Sequence, residues 1–294
     1  MSNSSYSSSI IRQALTKVLD QEILSFSMDP VDGGSINETY QVIINKNHFF
    51  FCKVNSQAAY PKLFENEKKG LEILARQKII RVPQAIACEE NKELQVLILE
   101  WINPGAKTKK FWMNFAEQLA GLHRVTHKRF GLEEDNWMGT IMQSNSWCNK
   151  WTDFFIVNRL QPQVRLAREN KLLDEIQVEQ FENLYKKLED IFEPEAPALL
   201  HGDLWSGNYL CDENDQPVLI DPAVYFGHRS MDLAMTRLFG GFDSIFYECY
   251  QAKFPLPSNY QEQWTLCNLY PLLIHLNLFG RSYLGEIVHT LRNF

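Results

Sequence analysis

A lysine sits inside the run His48-Phe49-Phe50-Phe51-Cys52-Lys53-Val54, and that placement constrains the fold more than any other feature of the chain. The run is rich in β-formers and follows a second such run, Thr39 to Ile44, across Asn45-Lys46-Asn47; the two predict a hairpin. Side chains alternate faces along a strand, which puts Phe49, Phe51 and Lys53 on one apolar face. A charge buried without a partner is costly, so the chain must bring a carboxylate to Lys53. The helix predicted from Lys62 to Gln77 offers one, because Phe64, Glu67, Leu71 and Leu74 fall on one helical stripe. Taken alone, a lysine snorkelling from an edge strand is the commoner arrangement.

A second cluster makes the pairing more specific. His201-Gly202-Asp203-Leu204-Trp205-Ser206-Gly207-Asn208 follows the apolar Ala198-Leu199-Leu200, and Val218-Leu219-Ile220 then ends in Asp221. Asp-x4-Asn followed by a strand-end Asp supplies what phosphoryl transfer needs: a carboxylate for the acceptor hydroxyl, and an amide oxygen and a carboxylate for magnesium. The plainer reading is a polar turn in which Asp203 caps a helix. A strand Lys paired with a helix Glu is also the arrangement by which kinases grip the α- and β-phosphates of ATP. Gly33-Gly34-Ser35, ahead of the hairpin, lets backbone amides approach phosphate, although it does not match G-x-G-x-x-G.

At 294 residues the chain suits about two domains of roughly 150 residues each, or one two-lobed unit. Its net charge of -7 gives no bulk field for a polyanion, so nucleic-acid binding is not expected. The six cysteines show no C-x-x-C spacing and several lie in apolar runs, which predicts reduced thiols in a reducing compartment. No signal-peptide pattern and no membrane-length apolar run is present, so a cytoplasmic protein without a membrane partner is expected. The Ser-rich residues 1–9 are expected to be disordered, with a first helix at 10–24. Asn103-Pro104-Gly105 marks the expected boundary between a β-rich segment 10–103 and a mainly helical segment 104–294. Helices are predicted over 108–125, 147–169 and 174–192.

His-Gly-Asp-Leu-Trp-Ser-Gly-Asn resembles the signature of the fructosamine kinase (ketosamine-3-kinase) family, a branch of the aminoglycoside-phosphotransferase-like kinases. The resemblance extends over nearly the whole chain. It includes Phe51-Cys52-Lys53-Val54-Asn55, Phe64-Glu65-Asn66-Glu67, Ile220-Asp221-Pro222-Ala223, Tyr225-x-Gly227-His228-Arg229, Asp232-Leu233-Ala234-Met235 and Phe239-Gly240-Gly241-Phe242. H-G-D-x4-N is shared by the wider superfamily, whereas the Leu-Trp-Ser-Gly filling and Asp-Pro-Ala are narrower. The resemblance implies an α+β, two-lobed protein-kinase-like fold, with a small β-rich N-lobe, a larger helical C-lobe and ATP in the cleft. It makes Asp203 the catalytic base, Asn208 and Asp221 the Mg2+ ligands, and Gly33, Gly34, Ser35, Lys53 and Glu67 the phosphate-binding residues. Glu100 and Ile102, on the connector, meet adenine through backbone groups. His201 and Asp232 support the catalytic loop, and Trp205 walls the sugar. Ser35 stands where some relatives carry a cysteine, so redox control there is not implied.

The implied activity is phosphorylation of the 3-hydroxyl of a ketosamine, a small-molecule or protein-bound glycated amine, by a monomeric enzyme. A related kinase for an aminoglycoside, choline or another amino-alcohol fits the Asp-Asn-Asp set as well, and an inactive nucleotide-binding scaffold is the alternative outside enzymes. His123 and His127 have the i, i+4 spacing of metal ligands but no third ligand near in sequence. Trp137, Trp151 and Asp135 are candidates for the acceptor side, with core packing the plainer reading.

Overall fold

The computed structural model describes residues 3–19, 22–31 and 36–294, and the chain divides into two compact units. The first comprises Met1–Phe111 and Tyr209–Asp221, and the second Trp112–Asn208 and Pro222–Phe294.

The first unit is built on an antiparallel sheet of β1 (Phe26–Pro30), β2 (Glu38–Ile44), β3 (His48–Ser56), β4 (Ala85–Glu90) and β5 (Leu94–Glu100), in the order β1-β2-β3-β5-β4. The expected hairpin is β2–β3, in register from Glu38↔Val54 to Ile44↔His48. Its turn places Asn45 and Lys46 at φ 49° and 67°. Asn45 tolerates that left-handed conformation and uses its side chain well: Oδ1 accepts from Leu24 N–H at 2.8 Å and Nδ2 donates to the Glu22 carbonyl at 2.9 Å. Helix α1 (Asn3–Val18) lays Ile11, Ala14 and Leu15 against Val42, Ile44, Phe50, Cys52, Val54, Val96 and Ile98. The Phe50/Cys52/Val54 face is therefore buried under α1, and the Lys53 face is buried at Leu97 and Leu99 of β5. Phe49, expected inside with Lys53, is 43% exposed, because the opposite face is only partly covered at that end of the strand.

Three expectations change here. The Ser-rich stretch expected to be disordered is helical from Asn3, since the stripe of Ile11, Ala14 and Leu15 anchors α1 to the sheet. That helix ends at Val18 rather than at residue 24. The boundary expected at Asn103 falls at Phe111, inside the helix Lys109–Leu122, and Tyr209–Asp221 returns to the first unit. The returning segment is a hairpin, Tyr209–Cys211 against Pro217–Leu219. Leu219 N–H donates to the Arg81 carbonyl at 2.9 Å, and Arg81 binds the carboxylates of both Asp212 and Glu100. These bonds fix the strand end that carries Asp221.

The second unit is mainly helical, with helices at Trp151–Phe155, Gln161–Glu169, Glu175–Tyr185, Ser230–Leu238, Ser244–Lys253, Tyr260–Cys267, Leu269–Phe279 and Leu284–Asn293. The helix predicted over 147–169 contains a π-helical stretch at Ile156–Leu160. Two short hairpin-like pairings, Asn136–Met138 with Ile141–Gln143 and Ala198–Leu200 with Tyr225–Gly227, flank the candidate loop.

Candidate active site

Lys53 is 1% exposed at the centre of β3, and α2 (Leu63–Gln77) carries the carboxylate that the sequence demanded. Lys53 Nζ donates to Glu67 Oε1 at 2.8 Å. The same ammonium also binds the Asp221 carboxylate, a partner that periodicity did not reveal. Burial works against the charged lysine, but Asp221 and then Glu67 outweigh it and hold its pKa above the ordinary lysine range. Burial pushes the Glu67 carboxyl up to about 7, with Lys53 pulling the other way. Two carboxylates thus share one ammonium. Asp221 has a left-handed φ of 54°, tolerable for Asp, and its side chain is 32% exposed beside the fully buried lysine.

Glu100 closes β5, and its carboxylate takes the Arg81 guanidinium and the Gln84 N–H. Ile102 is buried two residues on. Gly33, Gly34 and Ser35 lie outside the described residues.

In the second unit the loop after Leu200 is pinned by Asp232, at the start of helix Ser230–Leu238. Its Oδ2 accepts from His201 N–H at 2.8 Å and its Oδ1 from Gly202 N–H at 2.9 Å. His123 Nε2 lies 3.3 Å from the same carboxylate, and His123 Nδ1 lies 2.8 Å from the Tyr250 hydroxyl. Gly202 has φ 86°, and a Cβ there would stand 2.0 Å from the Ala223 carbonyl oxygen. Glycine is therefore required both by the backbone conformation and by the close approach of the chain after Asp221. Ala223 N–H in turn donates to the His201 carbonyl at 2.9 Å.

Asp203 follows, and Asn208 Nδ2 donates to its carboxylate at 2.8 Å and to its carbonyl at 2.9 Å. With Nδ2 so engaged, the amide is oriented to offer Oδ1 as an oxygen donor. Asn208 Oδ1 and the Asp221 carboxylate are hard oxygen ligands of the kind that suit magnesium. Trp205 is 37% exposed and folds over its own loop, where a Cβ on Gly207 would meet its ring at 2.4 Å.

The remaining candidates are placed elsewhere. His127 stacks on Trp147 at 4.5 Å rather than joining His123. Trp151 is buried against Phe154 and Phe155, so it is a core residue, and Asp135 accepts the Asn145 N–H at 2.8 Å. Sequence reasoning missed the polar network behind the Asp221-Pro222-Ala223 segment. Gln143 Nε2 donates to the Ala223 carbonyl at 3.2 Å and Asn136 Nδ2 to the Val224 carbonyl at 2.8 Å. Isolated Asn and Gln residues in a polar stretch carry no signal that would have revealed it.

The family model described as fructosamine kinase matches residues 7–294. The chain belongs to the fructosamine kinase family. A protein named "Probable ketoamine kinase" from Enterococcus faecium is 38% identical over 279 residues, covering 94% of this chain and 98% of that protein. The chloroplastic protein-ribulosamine 3-kinase of Arabidopsis thaliana is 36% identical over 271 residues, covering 90% of this chain and 81% of that one. The crystal structure of a candidate fructosamine-3-kinase from Thermobifida fusca is 31% identical with a TM-score of 0.85, covering 95% of this chain and 96% of that one. The fold of this family member is the kinase-like α+β architecture expected from the sequence.

Proposed function

We propose that this fructosamine kinase family member transfers the γ-phosphoryl group of ATP to the 3-hydroxyl of a ketosamine, an amine glycated by a sugar such as fructose or ribulose. The observation that carries this reading is the Asp203–Asn208 pair, filled by Leu-Trp-Ser-Gly and held on a loop pinned by Asp232, in a chain matched by the family over residues 7–294. Asp203 orients the acceptor hydroxyl and takes its proton as the bond to phosphorus forms. Lys53, braced by Glu67, grips the nucleotide phosphates. Glu100 and Ile102 meet the adenine through their backbone. Asn208 Oδ1 and the Asp221 carboxylate would hold magnesium, whose charge would offset that on the transferring phosphoryl group. Trp205 gives the sugar a flat wall.

The choice of the third carbon has chemical sense. Loss of a proton from carbon 1 gives the 1,2-enaminol, which expels phosphate from carbon 3. Water then hydrolyses the resulting imine and releases the free amine. The enzyme supplies only the phosphoryl transfer, and deglycation follows. A reducing compartment such as the cytoplasm suits the chain, whose six thiols are all unpaired.

The test is a panel of acceptors with magnesium and ATP: fructosyl-, ribulosyl- and erythrulosyl-lysine, choline and an aminoglycoside. Phosphorylation of a ketosamine and of neither other class is expected. Choline or aminoglycoside phosphorylation without ketosamine turnover would overturn the reading.

A further inference from the structure

Arg159 is wholly buried in the second unit, at 0% exposure. It is carried by the π-helical stretch Ile156–Leu160, an irregularity frequent at functional sites. Its hydrogen bonds go to neutral oxygens: the Ser144 and Asn158 carbonyls and, at 2.8 Å, Asn145 Oδ1. The rings of Phe154 and Tyr225 have their centroids 4.6 Å and 4.0 Å from its Cζ. Among the described residues no carboxylate pairs with it. A buried cation without a counter-ion is costly, and an apolar side chain of similar volume would fill the space at lower cost.

The guanidinium differs from such a side chain in one useful respect: it donates and never accepts. Asn145 must therefore turn Oδ1 toward Arg159, which sends its Nδ2 to Asn136 Oδ1 at 3.0 Å. Asn136 Oδ1 also accepts from Gln143 Nε2 at 2.8 Å, and Asn136 Nδ2 is left for the Val224 carbonyl at 2.8 Å. At the other end the Tyr270 hydroxyl donates to Gln143 Oε1 at 2.8 Å, so that Gln143 Nε2 also reaches the Ala223 carbonyl at 3.2 Å. Donor-only Arg159 and the acceptor-only carbonyls leave these amides one arrangement. Asn136, Gln143 and Asn145 are all buried, so none can turn to bulk solvent instead.

The two carbonyls held in this way belong to the chain that packs on the candidate catalytic loop. Ala223 N–H donates to the His201 carbonyl, and the Ala223 carbonyl oxygen is the atom that a Cβ on Gly202 would strike. Asp203 is the next residue of the loop. Tyr225, two residues after Ala223, supplies one of the rings against the guanidinium. Resting on the phosphotransfer reading above, we infer that Arg159 is a positioning residue: its donor-only head fixes the polarity of the amide network that holds Ala223 and Val224, and through them the loop that presents Asp203.

The test measures kcat and the KM for ATP with the acceptor that the panel above identifies. Arg159→Met and Arg159→Gln should each lower kcat about ten- to a hundredfold, because small misplacements of catalytic groups are expensive. The KM for ATP should stay within about twofold. Arg159→Lys, still donor-only, should recover most of kcat. Tyr270→Phe keeps the ring and removes only the donor to Gln143, so it tests the network even if Arg159→Met does not fold; kcat should fall roughly three- to tenfold. Phe181→Leu, a buried change in the helix Glu175–Tyr185, is the control and should lower the melting temperature with kcat unchanged. A kcat within about twofold of wild type in folded Tyr270→Phe, or Arg159→Lys as slow as Arg159→Met, would overturn the inference. If choline or an aminoglycoside alone is phosphorylated, the ketosamine reading falls, and the same variants measured with that acceptor still decide this inference. Turnover of no acceptor would remove both.

Discussion

Lys53 and Asp232 are both buried ions, and the chain satisfies them in opposite ways. Lys53 is held by two side-chain carboxylates, Glu67 and Asp221, that share its single ammonium. Asp232 is held by the backbone N–H groups of His201 and Gly202, with His123 beside it. Side chains can turn and exchange partners when a phosphate arrives, whereas a carboxylate committed to two backbone donors has no such freedom. The difference separates a grip from a brace. On the proposed function the Lys53 ammonium is the group that nucleotide phosphates would share with its two carboxylates, while Asp232 fixes the start of the loop that carries Asp203 and Asn208.

The largest expected effect falls on the group that the brace serves. Asp203→Asn should lower kcat by about 10²–10⁴-fold with the fold and nucleotide binding retained. Near-normal kcat in a folded variant would remove Asp203 from the base role. Breaking the brace itself should appear first as instability. Asp232→Ala leaves two buried N–H groups without their acceptor and should cost roughly 3 kcal/mol in denaturant unfolding. An unchanged midpoint would show that His201 and Gly202 find other partners.

The grip should yield less, and in coupled form. Lys53→Met and Glu67→Gln should each raise the KM for ATP and lower kcat, and the double variant should be little worse than either. A double-mutant cycle should return a coupling of about 0.5–3 kcal/mol. Strict additivity would mean that the two residues do not act as a pair.

The smallest effect concerns a buried ionisable group held as neither grip nor brace. His228 packs against Trp151 and Phe192. Burial first, and then the charge of Arg229, push its pKa from 6.5 down to about 3. The folded pKa lies below the unfolded one, so this contribution to stability is complete above pH 6.5 and is lost as pH falls toward 3. Between pH 7 and pH 5 the loss through His228 should be at most about 2 kcal/mol. His228→Gln should flatten that part of the stability profile, and an unchanged slope would show that His228 is not the group responsible.

The grip was legible in the sequence and its surroundings were not. The β3 alternation and the α2 stripe were enough to pair Lys53 with Glu67, because an unpaired buried charge is prohibitive. Alternation says which residues share a face, but not which face α1 covers; α1 covers Phe50, Cys52 and Val54, while Phe49 at the start of the other face is exposed. Edge strands β1 and β4 escaped for local reasons. β1 contains Asp29 and ends in Pro30, and β4 is interrupted by a bulge between Ala85 and Ala87 that breaks its period. The Lys53–Asp221 contact joins residues 168 apart, and no local pattern encodes it. Asp232 was identified by resemblance alone, since a carboxylate near the start of a helix otherwise reads as an ordinary N-terminal charge.

Phosphorus NMR of the product formed from ATP, magnesium and ribulosyl-lysine tests the central claim most directly. The account predicts a phosphate ester on the third sugar carbon that decays with release of inorganic phosphate and free lysine. A stable ester on another carbon, with the amine still attached to the sugar, would contradict it.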